Sequence, residues 1–339
     1  MKEMKLTLKV ITPMFMHGAD GRTAEFRIPE LKAALRFWWR ASHYEQDHKE
    51  LYANESKVFG GVNPATKSNL VMRAIGNVNI ANFNRMPVGQ KRGNMIEVGT
   101  THGVFQINIL DYLAYGEHER INRQLTYTKQ PIQPTDLTLS VTVADERYAD
   151  VETAFGLLSN YGCLGGKSRN GFGSVQVFDD NQNEIQATLQ GCNGNDLPVY
   201  TAGSNLVKRW KTRGTHESWD AALAEIGKIY RDARLQLETR HDVSRRSFVA
   251  LPVNISGQRG NFTGSSQNSN IRRAKPYFLK VRKENERFVG YITFIPAVYY
   301  LEKGPQGWTG RWTKEARAVW KTMNDYFNGH LTTVNEGGR

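Results

Sequence analysis

The sequence is short of several things. The 339 residues include only two cysteines, Cys163 and Cys192, and neither belongs to a CxxC pair. A zinc ribbon and a disulfide framework are therefore excluded, and a reducing compartment is the expectation. No run of 18 apolar residues occurs, and the opening MKEMKLTLKV has no signal-peptide core. The sequence reads as soluble and cytoplasmic, with no membrane partner. Acids are in deficit, 33 Asp and Glu against 45 Lys and Arg, a formal charge of +12. They do not gather as two-metal chemistry requires. Asp179 and Asp180 are adjacent and would face opposite ways in a strand, so DDNQNE (179–184) reads as a solvated turn. Neither a metal nor another cofactor is expected. A basic surplus of this size points to a polyanionic partner.

With 39% hydrophobic and 11% aromatic residues the chain has material for packed cores. At roughly 150 residues per domain, its length suggests about two. KLTLKVI (5–11) alternates as a strand does. Pro29 and Glu30 mark the first turn of a helix running to about Tyr44, with Leu31, Leu35, Trp38 and Trp39 on one side. Residues 69–78 read as a strand and 101–115 as another strand or a hairpin arm, while DLTLSVTVA (136–144) is a strong strand. Residues 148–161 fit a helix with Val151, Phe155 and Leu158 inward, and SVQVF (174–178) closes the unit. The order β-α-β-(insert)-β-α-β is the split βαβ of ferredoxin-like folds. In such a fold the helices cover one face of an antiparallel sheet, and the other face is open for binding. Further on, a long helix is predicted over 215–238 with Trp219, Leu223, Ile226 and Tyr230 as its stripe. Strands are predicted at 247–255, 274–284 and 287–300, and a last helix at 312–327. No first strand is evident for this second half. The domains expected are 1–180, a connector over 181–214, and 215–339.

The cations are unevenly spread. Residues 255–275 carry four basic residues and no acid, and 79–96 have the same character. Both are too polar to bury and too long for turns, so they are functional or disordered. Acid-free loops rich in Arg, Lys, Asn and rings suit single-stranded RNA. GCLGGKSRNGFG (162–173) fails the GxxxxGK[ST] pattern, because Tyr161 stands where the first glycine belongs and a helix precedes it. An ATPase is rejected. Five glycines in these twelve residues still let backbone amides approach an oxyanion.

Five stretches carry a resemblance: VITPMFMHGAD (10–20), FRIPELKAALRFWWRA (26–41), KVFGG (57–61), GCLGGKSRNGFGSV (162–175) and RRAKPYFLKV (272–281). Together they resemble the RAMP superfamily of CRISPR-associated RNA-binding proteins, and within it the family of first-numbered subunits of type III-B (Cmr) effector complexes. The resemblance implies an α+β chain of two tandem ferredoxin-like (RRM-like) folds with long basic insertions. It implies a ribonucleoprotein in which guide crRNA captures complementary target RNA. This subunit would contact RNA near the guide's 3′ end beside other Cmr subunits, and cleavage would belong to a different subunit. Some relatives are metal-independent endoribonucleases that process guide RNA, typically with a histidine near the first strand or helix. His17 and His43 are the candidates here. The third alternative is a protein-interaction subunit in which Trp308, Trp312 and Trp320 anchor an interface. The favoured expectation is a non-catalytic RNA-binding subunit. Its candidate residues are His17 and Arg22 in the first loop, and Lys32, Arg36 and Arg40 along one helix edge. Gly165, Gly166, Lys167, Ser168 and Arg169 in the glycine loop follow, and Arg259, Arg272 and Arg273 stand second in rank. The cationic helix edge is expected to border the glycine loop.

Overall fold

A computed structural model gives the fold and describes every residue except 46, 77, 79–82, 101–102, 190–195, 238–243, 251–272, 305–306, 312 and 336–339. The chain opens with β1 (Lys2–Val10), whose alternation buries Met4, Leu6, Leu8 and Val10. Then come α1 (Ile28–Ser42), α2 (His48–Phe59), the small hairpin β2 (Gly61–Val62) and β3 (Ala65–Thr66), and β4 (Leu70–Ile75). An insert follows: hairpin β5 (Met95–Thr100) and β6 (Gly103–Asn108), α3 (Ile109–Leu113), and hairpin β7 (His118–Ile121) and β8 (Gln124–Tyr127). After β9 (Thr135–Val143), α4 (Tyr148–Tyr161) and β10 (Val175–Phe178), the first sheet is complete in the order β10-β1-β9-β4, antiparallel throughout.

The second half repeats the plan. It comprises β11 (Lys208–Lys211), α5 (Trp219–Leu235), β12 (Tyr277–Glu284), β13 (Arg287–Phe294), hairpin β14 (Tyr300–Gly304) and β15 (Gly307–Arg311), α6 (Thr313–His330) and β16 (Thr332–Val334). Its sheet order is β12-β13-β11-β16, again antiparallel. In both halves the first strand lies between the fourth and the third, and the second is at the edge. Both are ferredoxin-like. The first strand that the sequence does not reveal is β11, inside the stretch read as connector. Residues 244–248 form a short 3₁₀ helix, not the predicted strand, and the remainder of 247–255 lies largely outside the described residues. A short apolar run has no period to separate the two.

The two sheets meet edge to edge. β10 and β12 run side by side in parallel, but side chains make the junction. Val281 N donates to Ser174 Oγ at 3.0 Å, and the Gln176 side-chain amide engages both the N–H (2.8 Å) and the C=O (3.3 Å) of Lys283. Arg282 forms a two-pronged pair with Glu184 at 2.9 and 2.8 Å. DDNQNE is thus more than a solvated turn. Ile11, Phe15 and Phe172 of the first half sit in the apolar core of the second. The insert packs there as well through Ile109, Leu110 and Leu113. In the described part of 79–96, Phe83, Met86 and Asn94 are buried, contrary to the expectation of a loop too polar to bury. Two apolar anchors hold it, and Asn94 Nδ2 reaches Asp220 at 2.8 Å.

Candidate nucleic-acid interface

α1 divides as its sequence suggests. Leu31, Leu35, Trp38 and Trp39 are buried. Its cationic edge does not border the glycine loop. Arg36 Nε and Arg40 Nη1 pair with Glu55 of α2 at 3.4 and 2.8 Å, and Arg36 Nη2 donates to the carbonyls of Phe59 and Gly60 at the α2 terminus. Lys32 Nζ donates to Ser68 Oγ at 2.9 Å. Burial, then the charge of Arg36, pulls the Lys32 ammonium down from its ordinary value. Helix carbonyl ends and a carboxylate attract cations before any ligand arrives, so this row clamps α2 to α1. The side of α1 that meets the glycine loop is apolar: Ala34, Phe37 and Trp38.

The glycine loop is built differently from the expectation too. Four of its five glycine amides are occupied within the protein. Gly162 donates to Leu158 O, Gly166 to Phe15 O, Gly171 to Ser168 O and Gly173 to Pro13 O. A Cβ on Gly162 would lie 2.5 Å from Trp38 Nε1, so this glycine admits the helix. Gly165 has φ +78°, and a Cβ there would stand 2.6 Å from Phe15 O. The loop's glycines therefore serve close packing, and the amides left over are at its tip. Lys167, with φ 57°, Ser168 and Arg169 have amides with no protein acceptor among the described residues. Consecutive free amides at such a turn form an anion-binding concavity.

Around this tip lies a half-buried seam of cations. Arg169 sets its guanidinium 4.3 Å over Phe278 and donates to the Lys275 carbonyl. Burial, then the charge of Arg273, brings Arg169 down to about 10. Arg273 sits 5.2 Å over Tyr299 and donates to Ala297 O. Lys275 is buried with Nζ 4.0 Å over Tyr230, pulled well down by burial and then by Arg234 and Arg169. Arg246 is lowered by burial and then by Arg234. Among the described residues, no carboxylate stands among the groups acting on Arg169, Arg273, Lys275 and Arg234. Like charges held together without an acid are costly unless an anion completes them. Lys167 is not part of this seam, because its ammonium shares buried Glu117 with Lys129, at 3.8 and 3.2 Å.

The sequence model of the RAMP superfamily matches residues 7–176. The chain belongs to the RAMP superfamily. A relative, the CRISPR system Cmr subunit Cmr1-2 of Pyrococcus furiosus, is 28% identical over 182 residues, 52% of this chain and 96% of that protein. The crystal structure of Cmr1 from Pyrococcus furiosus in its apo form matches with TM-score 0.57 and 16% identity, over 100% of this chain and 99% of that one. A chain in the cryo-EM structure of the type III-B Cmr-beta bound to cognate target RNA matches with TM-score 0.50 and 13% identity, over 96% and 100%. At these identities the structures establish likeness of fold.

Within this RAMP chain the remaining candidates are scattered. His17 Nε2 lies 3.1 Å from Gln130 O, and burial pulls its imidazole below the ordinary value. His43 stacks on Trp39 at 4.2 Å, with Nδ1 2.9 Å from Trp39 O and Nε2 3.5 Å from Asp150. Arg22 is exposed, and Arg259, Arg272 and Trp312 lie outside the described residues. Trp320 is core, donating Nε1 to Phe248 O. The open face of the first sheet carries Lys5, Thr7 and Lys9 opposite Ser140, Thr138 and Asp136. Lys9 covers the Phe178 ring beside them at 4.3 Å, so this face lacks the bare rings on which RNA-recognition modules stack bases. Arg234, Arg246 and Lys275 are absent from the sequence-based candidates. An acid-free stretch in fact extends from 243 to 283. Taking the window upstream to its true start captures Arg246.

Among the described residues no cluster of three or more His, Cys, Asp or Glu could hold a metal, and no helix is long and apolar enough to cross a membrane.

Proposed function

We propose that this RAMP protein is a non-catalytic RNA-binding subunit of a type III-B Cmr ribonucleoprotein. It holds guide or target RNA near the guide's 3′ end, in the cytoplasm, beside other Cmr subunits. The observation that carries the reading is the seam Arg273–Arg169–Lys275–Arg234, with no carboxylate acting on it among the described residues, meeting the free amides of the glycine loop. It can grip phosphates irrespective of sequence, while base pairing does the selecting. The kinship with the Pyrococcus Cmr1-2 subunit, over nearly all of that protein, supports the complex. The two histidines support the absence of catalysis: each already faces a backbone carbonyl, and neither stands in the seam. We place the boundary between the two units just before β11.

The test is RNA binding by the full chain at two salt concentrations, with single-stranded RNA and with a guide–target duplex. Arg169→Gln and Arg273→Gln are each expected to weaken binding several-fold and to flatten the salt dependence by roughly 0.7 per lost phosphate contact. No binding to either RNA at low salt would overturn the reading. Scission that disappears in His17→Ala would replace it with a nuclease.

A further inference from the structure

Between α1, the glycine loop and β12 lies a cleft of about 240 Å³, lined among others by Ala34, Phe37, Trp38, Ser168, Arg169 and Phe278. Sites that enclose drug-sized ligands run to ~300–1,000 Å³, so this one suits a smaller, flat group. Its rings converge, with centroid separations of 5.0 Å for Phe37–Trp38, 5.9 Å for Phe37–Phe278 and 5.7 Å for Trp38–Phe278. Arg169 contributes a guanidinium 4.3 Å from the Phe278 centroid. The Ser168 hydroxyl has no protein partner among the described residues. Ser168 and Arg169 also carry two of the free amides at the loop tip. One short segment thus offers a phosphate site and, beside it, an aromatic slot.

We propose that this cleft receives a single unpaired nucleobase of the RNA whose phosphate rests on the loop tip. The inference rests on the RNA-binding reading above and adds where a base goes. A paired base is stacked on both sides and joined along its edge, so it cannot enter. An unpaired base can lay its ring face against half-buried Phe37 and against the Arg169 guanidinium plane, which already covers Phe278, and offers acceptors to Ser168. An apolar side chain from a neighbouring protein would match the rings but leave the guanidinium, the hydroxyl and the amides without acceptors. The cleft therefore marks a point where pairing has ended.

The test compares a ten-nucleotide uridine oligomer with an abasic decamer of equal charge, both at fixed low salt and with the full chain. The unaltered protein is expected to bind the uridine oligomer about tenfold or more tightly, in the range of base–ring stacking. Ala34→Trp, which fills the cleft, and Phe37→Leu, which removes a ring, should each bring the uridine oligomer down to the abasic level. Both variants should bind the abasic decamer as before, and that shows they are folded. Equal binding of the two oligomers by the unaltered protein overturns the cleft while leaving RNA binding intact. So does an equal loss of both oligomers in the variants, or full uridine binding in Ala34→Trp, as a protein occupant would give. No binding of either oligomer by the unaltered protein removes the RNA-binding reading and the cleft with it.

Discussion

Lys280 is 1% exposed and sends its ammonium from β12 to the carbonyls of Leu158, Gly162 and Val175, at the end of α4 and the start of β10. Burial lowers it from 10.5 to about 7. Below pH 7 both folded and unfolded chains hold the proton, and the fold bears a buried charge. Between about 7 and 10.5 only the unfolded chain holds it, so stability rises with pH there. Replacing Lys280 with Met removes this dependence and leaves three carbonyls short of a donor, at about 1–3 kcal/mol. Urea unfolding at pH 6, 7, 8 and 9 should show the gap between wild type and Lys280→Met constant up to about pH 7 and widening above it. At this scale sequence reading singles out Arg169 and Arg273 because they stand in acid-free stretches, and the fold brings the two together. The reading does not show that Arg36 and Arg40 pair with Glu55, because nothing local reveals that this carboxylate sits across from them. It misses Arg234, which joins the seam only when α5 packs against β12.

Among the elements, α1 and α2 are joined by one carboxylate. Glu55 is 8% exposed in its side chain, between guanidiniums that are 32% and 36% exposed. Water screens the arginines in part, which lowers the worth of the pairs. Glu55→Ala should cost about 1–2 kcal/mol, below the ~3–5 kcal/mol of a fully buried broken pair, read as a shift of the urea midpoint. RNA affinity should stay as it was, because the row it anchors is a clamp. An affinity loss out of proportion to the stability loss would return Arg36 and Arg40 to the interface. β1, α1, β9 and α4 are readable in the sequence because their periods are long and their inward positions apolar. β11 is unreadable for the opposite reason. It is four residues, KRWK, and one of its inward side chains is Arg209. That arginine is buried against Asn160 and lies 4.8 and 4.3 Å over Tyr161 and Tyr291. A cation stacked between rings counts as core in the fold and as surface in any hydropathy pattern.

At the scale of the molecule the two ferredoxin-like units share a core. Phe15 belongs to the first unit's loop, yet it packs with Phe172 at 5.3 Å and Tyr127 at 6.1 Å inside the second unit's core. Phe15→Ala should cost about 3–5 kcal/mol, and calorimetry should show a single transition lowered as a whole. Two separated transitions would contradict the shared core. The junction of β10 with β12 has a further consequence. By zipping one edge of each four-stranded sheet to the other through Ser174 and Gln176, the chain uses up two of the four edges of these two sheets. Those that remain are unlike. β4 has six residues with Val71 and Ile75 exposed, whereas β16 has three. Runaway aggregation by strand addition needs a receptive edge at both ends of every copy. Among the described residues the two four-stranded sheets present one usable edge and one stub, so copies that met through β4 would pair these sheets without offering a second long edge of either for growth.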